Sequence, residues 1–189
     1  MSSTTDTTGS ASLPAAAGRG TVRVWDPIVR IFHWGVAGAF VVACVTGDDA
    51  QGAHQAAGYL IAGLLAVRVV WGFIGSQHAR FADFVRSPRA ALDYLRQSRE
   101  GTAPHYLGHN PAGGLMAIAL MVMVGAICWT GHLITTPDYF GSEMMEGLHE
   151  ALVNVTIGMI VLHILGNLFS SAVHGENLTW SMITGRKRA

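Results

Sequence analysis

The chain has 189 residues, of which 50% are hydrophobic and only 13% charged. Soluble domains carry about 25% charged residues, so this chain lacks the side chains to cover a water-facing surface, and its mean hydropathy of +0.36 points the same way. Twelve basic residues balance twelve acidic ones, so no overall positive charge points to nucleic acid.

Taken in chain order, the first twenty residues are rich in Ser, Thr, Ala and Gly, with no cluster of positive charge ahead of an apolar run. That composition predicts a disordered tail over residues 1–22 rather than a secretory signal. One transmembrane domain is expected over residues 23–189. Its apolar segments fall at residues 31–47, 56–75, 112–131 and 148–173. A spanning helix needs about 20 apolar residues, so four spans are predicted, the first short and the fourth long enough to tilt or overhang. Frequent glycines in these segments allow close approach of a neighbouring helix or a flat cofactor. Between the second and third spans, Ser87 and Pro88 read as an N-cap and first helical position. Ala91, Leu92, Tyr94 and Leu95 alternate there with Arg89, Arg96 and Arg99. This pattern predicts an amphipathic helix lying on the cytoplasmic membrane surface. The fold class is therefore all-α, an integral membrane four-helix bundle running up and down.

Charge sets the orientation. Arg19, Arg23 and Arg30 precede the first span, five arginines fill the middle loop, and Arg186, Lys187 and Arg188 end the chain. The other two loops hold no Lys or Arg and carry Asp48, Asp49, Asp138, Glu143 and Glu146. By the positive-inside rule both termini and the middle loop are cytoplasmic. Cys44 and Cys128 sit in separate apolar runs and read as small core residues. No Cys-x-x-Cys-His is present, so covalent c-type haem attachment is excluded.

Nine histidines carry the chemistry. A polar ring inside a membrane span is costly and is usually functional. His33 lies one turn inside the first span, His54 just before the second, and His149 and His163 on the fourth. His149 and His163 are 14 residues apart, which in a helix is about 21 Å along the axis and only about 40° short of whole turns. The orientation places His54 level with His149 on the outer side and His33 level with His163 on the inner side. Each pair can clamp both axial positions of a haem iron. Zinc wants three or four ligands together, which these spacings do not offer. His132 competes for the outer site but reads as interfacial, and His78 and His105 read as solvated. His109 and His174, near Asn110 and Asn177, are candidates to bond haem propionates or a quinone. Arg68 is the only basic residue within a span. It either snorkels to the interface or pairs with a carboxylate of the inner haem, and the second reading is preferred. Phe32, Trp34, Trp71, Phe73, Trp129 and Trp180 near the span ends read mostly as an aromatic belt.

Several ordered motifs carry a family resemblance. They are Val24-Trp-Asp-Pro27, Arg30-Ile-Phe-His-Trp34, His54-Gln-Ala-Ala-Gly-Tyr59 and Arg68-Val-Val-Trp-Gly-Phe73. Tyr106-Leu-Gly-His-Asn-Pro111, Leu148-His-Glu150, His163, His174-Gly-Glu-Asn-Leu178 and Met182-Ile-Thr-Gly-Arg-Lys-Arg188 follow. From about Val24 to Arg188 the chain resembles the bacterial cytochrome b561 family, which includes the b-type cytochrome subunits of nickel-iron hydrogenases. The resemblance implies two b haems, with His33, His54, His149 and His163 as iron ligands, and electron transfer in the bacterial inner membrane. The expected role is an electron-transfer subunit, rather than a stand-alone enzyme, between the quinone pool and a periplasmic c-type cytochrome or hydrogenase. A quinone-linked oxidoreductase of the superoxide-oxidising type and a non-redox transporter or assembly subunit are the alternatives.

Overall fold

The computed structural model describes residues 20–47 and 49–188. Residues 1–19 of the expected tail, and Asp48, lie outside the described residues. Thr21 and Val22, also expected in the tail, belong to strand β1 (Thr21–Arg23). The fold is otherwise almost wholly helical: α1 (Pro27–Thr46), α2 (Gln51–Ile74), a 3-10 turn (Gln77–Ala79), α3 (Phe81–Phe84), α4 (Pro88–Arg99), α5 (Pro111–Ile134), α6 (Glu143–His174) and α7 (Leu178–Thr184). Strand β2 (Arg186–Arg188) closes the chain and pairs antiparallel with β1, Val22 opposite Lys187.

Helix starts follow side-chain caps. Asp26 accepts from the Val29 amide and Asn110 from the Gly113 amide, each just ahead of a proline at the first helical position. Such caps satisfy amides that no helical carbonyl can reach. The four expected spans are present in α1, α2, α5 and α6, and each is long and apolar enough to cross a membrane. Each begins before the apolar run, and α2 and α6 do so by more than a turn because polar residues fill their first turns. His54 therefore lies inside α2 rather than just before it, and His149 lies well inside α6 rather than at its start. Large apolar side chains such as Val41, Val67, Val122 and Leu162 remain exposed on the helix surfaces. In a membrane protein such faces meet lipid, and polar backbone is satisfied within each helix.

Helix α2 packs along α1 on one side and against α5 on the other, and α5 packs along α6. Their common core holds Ala39, Phe40, Ile61 and Val124, with Leu65, Val153 and Ile160 against it. Close backbone approach is sparse between α6 and either α1 or α2. A gap therefore runs down that side of the bundle. At the bundle end where α1 begins and α2 finishes, a second core of Val24, Trp25, Val29 and Ala79 takes in Trp71 and Met182. Here the strand pair and α7 close over the helix ends. Helix α4 packs on α5, burying Ala91, Tyr94 and Ser98 while Leu92 and Leu95 stay exposed.

Two readings of individual residues change. Cys44 is exposed on α1 rather than in the core, and both cysteines are free. Trp71 is no belt residue, since its indole N–H donates to the Asp26 carboxylate at 2.9 Å.

Candidate haem-ligand column

Four histidines line the gap as two facing pairs. His54 on α2 faces His149 on α6 with ring centroids 6.2 Å apart, and His33 on α1 faces His163 on α6 at 6.4 Å. Both distances are too long for a direct hydrogen bond between the rings. A metal–imidazole bond is about 2.0–2.1 Å and the nitrogen lies about 1.1 Å from the ring centre, so two imidazoles on opposite sides of one metal have centroids about 6.3 Å apart. Both pairs have that spacing. Among the described residues no three or more His, Cys, Asp or Glu converge as a metal site, so each pair stands alone.

The His54/His149 pair, expected on the outer side, has its ring nitrogens assigned by its partners. His54 Nδ1 lies 2.9 Å from the Ala43 carbonyl. A carbonyl only accepts, so Nδ1 carries the proton and Nε2 presents its lone pair. His149 Nδ1 lies 3.0 Å from Thr130 Oγ1, while that hydroxyl donates to the Ala126 and Ile127 carbonyls at 3.0 and 3.1 Å. Thr130 has one proton to give, so His149 Nδ1–H donates to it and Nε2 is again free. This arrangement orients imidazoles for metal binding. Glycine keeps the column open. A Cβ on Gly131 would sit 3.0 Å from His149 Cε1, and Gly58, one turn beyond His54, borders open space.

The His33/His163 pair, expected on the inner side, is surrounded differently. His33 Nδ1 is buried with no hydrogen-bond partner. Arg68 is 3% exposed, with its guanidinium 5.3 and 5.8 Å from the Phe81 and Phe84 ring centres. Its Nη1 is buried without a partner, and no carboxylate of the described residues pairs with it. A buried guanidinium is stable only with an anion or equivalent acceptors, so this site is built for a negative group. That chemistry fits a b-type haem, whose carboxylates need a cation and whose iron needs two imidazoles.

His109 packs between Trp25 (4.7 Å) and Phe84 (4.6 Å), with its Nδ1 buried and unpartnered. Burial, reinforced by the nearby charges of Arg68 and Lys187, pushes its pKa from 6.5 down to about 3. It is therefore a neutral imidazole with one free nitrogen. Lys187 of β2 is itself buried and donates to the Tyr106 and Gly108 carbonyls at 3.2 and 3.4 Å. Burial lowers its pKa, partly offset by Glu176. Burial also pushes Asp26 up, but hydrogen bonds from Ser76, Trp71 and the Val29 and Ile28 amides outweigh it and hold the carboxyl below 3.8.

The other histidines fall elsewhere. His174 Nε2 meets the Tyr94 hydroxyl at 3.2 Å and its ring lies 5.6 Å from His105, apart from His109's aromatic sandwich. His78 and His105, expected in solvent, are held by Asp83 (3.2 Å) and Glu176 (3.3 Å). His78, Asp83, Arg86, His105, Tyr106 and His109 line a cleft of about 320 Å³. His132 stays off the column, bonded to the Tyr59 hydroxyl at 3.1 Å. Sequence reasoning missed Thr130 and Lys187. A threonine near a helix end commonly bonds its own backbone, and a terminal lysine is normally solvated, so neither gave a usable signal.

Known proteins place the chain in a family. The chain is 26% identical to a probable Ni/Fe-hydrogenase B-type cytochrome subunit of Bradyrhizobium diazoefficiens, over 94% of this chain and 90% of the relative. It is 33% identical to a protein of the same description from Azotobacter vinelandii, over 56% of this chain and 55% of that one. A third, from Rhodobacter capsulatus, is 22% identical over 89% of this chain and 82% of its own length. No solved structure matches. The family model described as prokaryotic cytochrome b561 matches residues 24–185, which takes in both histidine pairs and Arg68, and the chain belongs to that family.

Proposed function

We propose that this chain is a di-haem b-type cytochrome of the bacterial inner membrane that passes electrons between the quinone pool and a periplasmic redox partner. The observation that carries this reading is the pair of imidazole pairs at one spacing, 6.2 and 6.4 Å, on two levels of one gap. His54 and His149 would hold the outer haem, and His33 and His163 the inner. Bound haem supplies reversible one-electron chemistry at each level. The protein's own part is to fix the rings, exclude water and offset charge. Helix α6 fixes the vertical spacing, since both of its histidines ride one rigid element about 21 Å apart. Arg68 would pair with a carboxylate of the inner haem, which removes the burden of its buried charge. His109, kept neutral by burial, is suited to donate to a neutral quinone carbonyl, and the cleft beside it gives a head group room. His174, next to that cleft's His105, is the further candidate for a propionate or quinone contact.

The distribution of arginines supports cytoplasmic termini and an up-down order of the four spans. Helix α4, with Leu92 and Leu95 exposed beside Arg96 and Arg99, is suited to lie on the lipid surface. The relatives' description as hydrogenase subunits favours a hydrogenase as the partner over a c-type cytochrome, and the acidic outer rim would dock a basic patch. Pyridine haemochrome counting tests the ligand assignment. His54→Ala or His149→Ala should lower haem from two per chain to one, and His33→Ala or His163→Ala should remove the other. A wild-type protein without b-type absorption bands would sink the reading.

A further inference from the structure

The two levels differ in three ways that act on a bound metal in one direction. At the outer level both imidazoles donate from Nδ1, His54 to the Ala43 carbonyl and His149 to Thr130. Such hydrogen bonds make a ligand more basic, which favours the more positive, oxidised metal. At the inner level His33 Nδ1 has no such partner. The second difference is Arg68. It follows His54 by 14 residues on α2, the same step that separates His149 from His163 on α6. Arg68 therefore sits on the His54 side of α2 at the depth of the inner pair. A cation that is 3% exposed is weakly screened and favours the less positive, reduced metal. The third difference is the rim. Asp49, Glu143, Glu146 and Glu150 lie at the outer helix ends, where the described connections hold no Lys or Arg. Asp26 is the opposing inner charge, but its carboxylate is taken up by Trp71, Ser76 and the Val29 amide rather than by Arg68.

Resting on the di-haem reading, we infer that the fold builds a potential step into the column, with the outer site the stronger reductant and the inner site the stronger oxidant. Haem bound at the two levels would carry the electron, and this step would favour its transfer from the His54/His149 level to the His33/His163 level.

Potentiometric titration of the purified full-length protein in detergent tests this, read from the b-type absorption bands. His149→Ala and His163→Ala variants assign each midpoint to its level. The outer midpoint should be the more negative. Thr130→Val keeps the shape and removes the acceptor, so the outer midpoint should rise by about 60 mV, the one-electron equivalent of a tenfold change. Arg68→Gln should lower the inner midpoint by about the same amount, and Arg68→Lys should recover much of it. If Arg68→Gln fails to accumulate, the wild-type order and Thr130→Val still decide the matter. Two haems with the outer midpoint equal or more positive, or a Thr130→Val midpoint that stays put, would overturn the inference alone. Absence of b-type bands from the wild type would instead remove the reading beneath it.

Discussion

His109 gives a test of the inner cap that needs no partner and no turnover. Its ring is enclosed by Trp25 and Phe84, and its pKa is about 3 in the folded protein against 6.5 when free. Above pH 6.5 the ring is neutral in both states, and the folded state loses nothing. As pH falls below 6.5 the unfolded chain takes up a proton that the folded one refuses, so stability falls, and the loss is complete only below pH 3. One pKa unit corresponds to about 1.36 kcal/mol, so the step from pH 8 to pH 5 should remove about 2 kcal/mol and the limiting loss is about 5 kcal/mol. Asp26, held below 3.8, loses its contribution only as pH falls through that lower range, and comparison with a variant that lacks only this ring cancels the other histidines. Replacing His109 with Phe keeps an aromatic ring in the slot and removes the titration. Denaturant unfolding in detergent, followed by tryptophan fluorescence at a series of pH values, should show the wild type losing about 2 kcal/mol more than His109→Phe between pH 8 and pH 5. Parallel profiles for the two proteins would show that His109 is solvated or charged in the folded state, and the neutral-donor role would go with it.

Two further substitutions probe opposite ends of the column. Gly131→Ala would place a methyl 3.0 Å from His149 Cε1. Overpacking of this kind typically costs about 1–3 kcal/mol, and it should displace the outer ring, so haem counting and the absorption bands should show the outer haem weakened or lost while the inner one stays. At the other end, Lys187→Met keeps the stem but removes both hydrogen bonds to the Tyr106 and Gly108 carbonyls. The change should destabilise the protein by about 1–3 kcal/mol, and hydrogen exchange should rise in β1, β2 and the segment around Tyr106 rather than in α5 or α6.

What the sequence revealed was set by period and by charge, which are local. The 14-residue step between His149 and His163 depends only on helix geometry, so the pairing by depth followed from spacing and orientation. Span starts were less legible, because a capped helix begins in polar residues. Glu143 and Glu146 favour a helix N-terminus, yet to hydropathy they read as loop, so His149 seemed to open a helix it lies well inside. Contacts across long sequence separations left no local trace at all. Nothing near Lys187 announces that it is buried against the loop about 80 residues earlier. Nothing near Trp71 announces Asp26.

The same distinction explains why the proposed ligands were easier to find than their environment. A histidine in a span is rare enough to be conspicuous. The groups that tune it need only supply an acceptor or a charge, and a backbone carbonyl such as Ala43's serves as well as a side chain. Any substitution that preserves the carbonyl preserves the hydrogen bond, so the residue type at position 43 carries no record of it. Thr130 does carry a record, but its hydroxyl is shared with its own helix, and only the geometry reveals that its one proton is spent there. That prior commitment is what turns His149 into the donor and leaves its Nε2 free. The asymmetry proposed for the column thus draws, among its sources, on the direction of one hydroxyl proton at the His54/His149 level and on the buried guanidinium of Arg68 near the other pair.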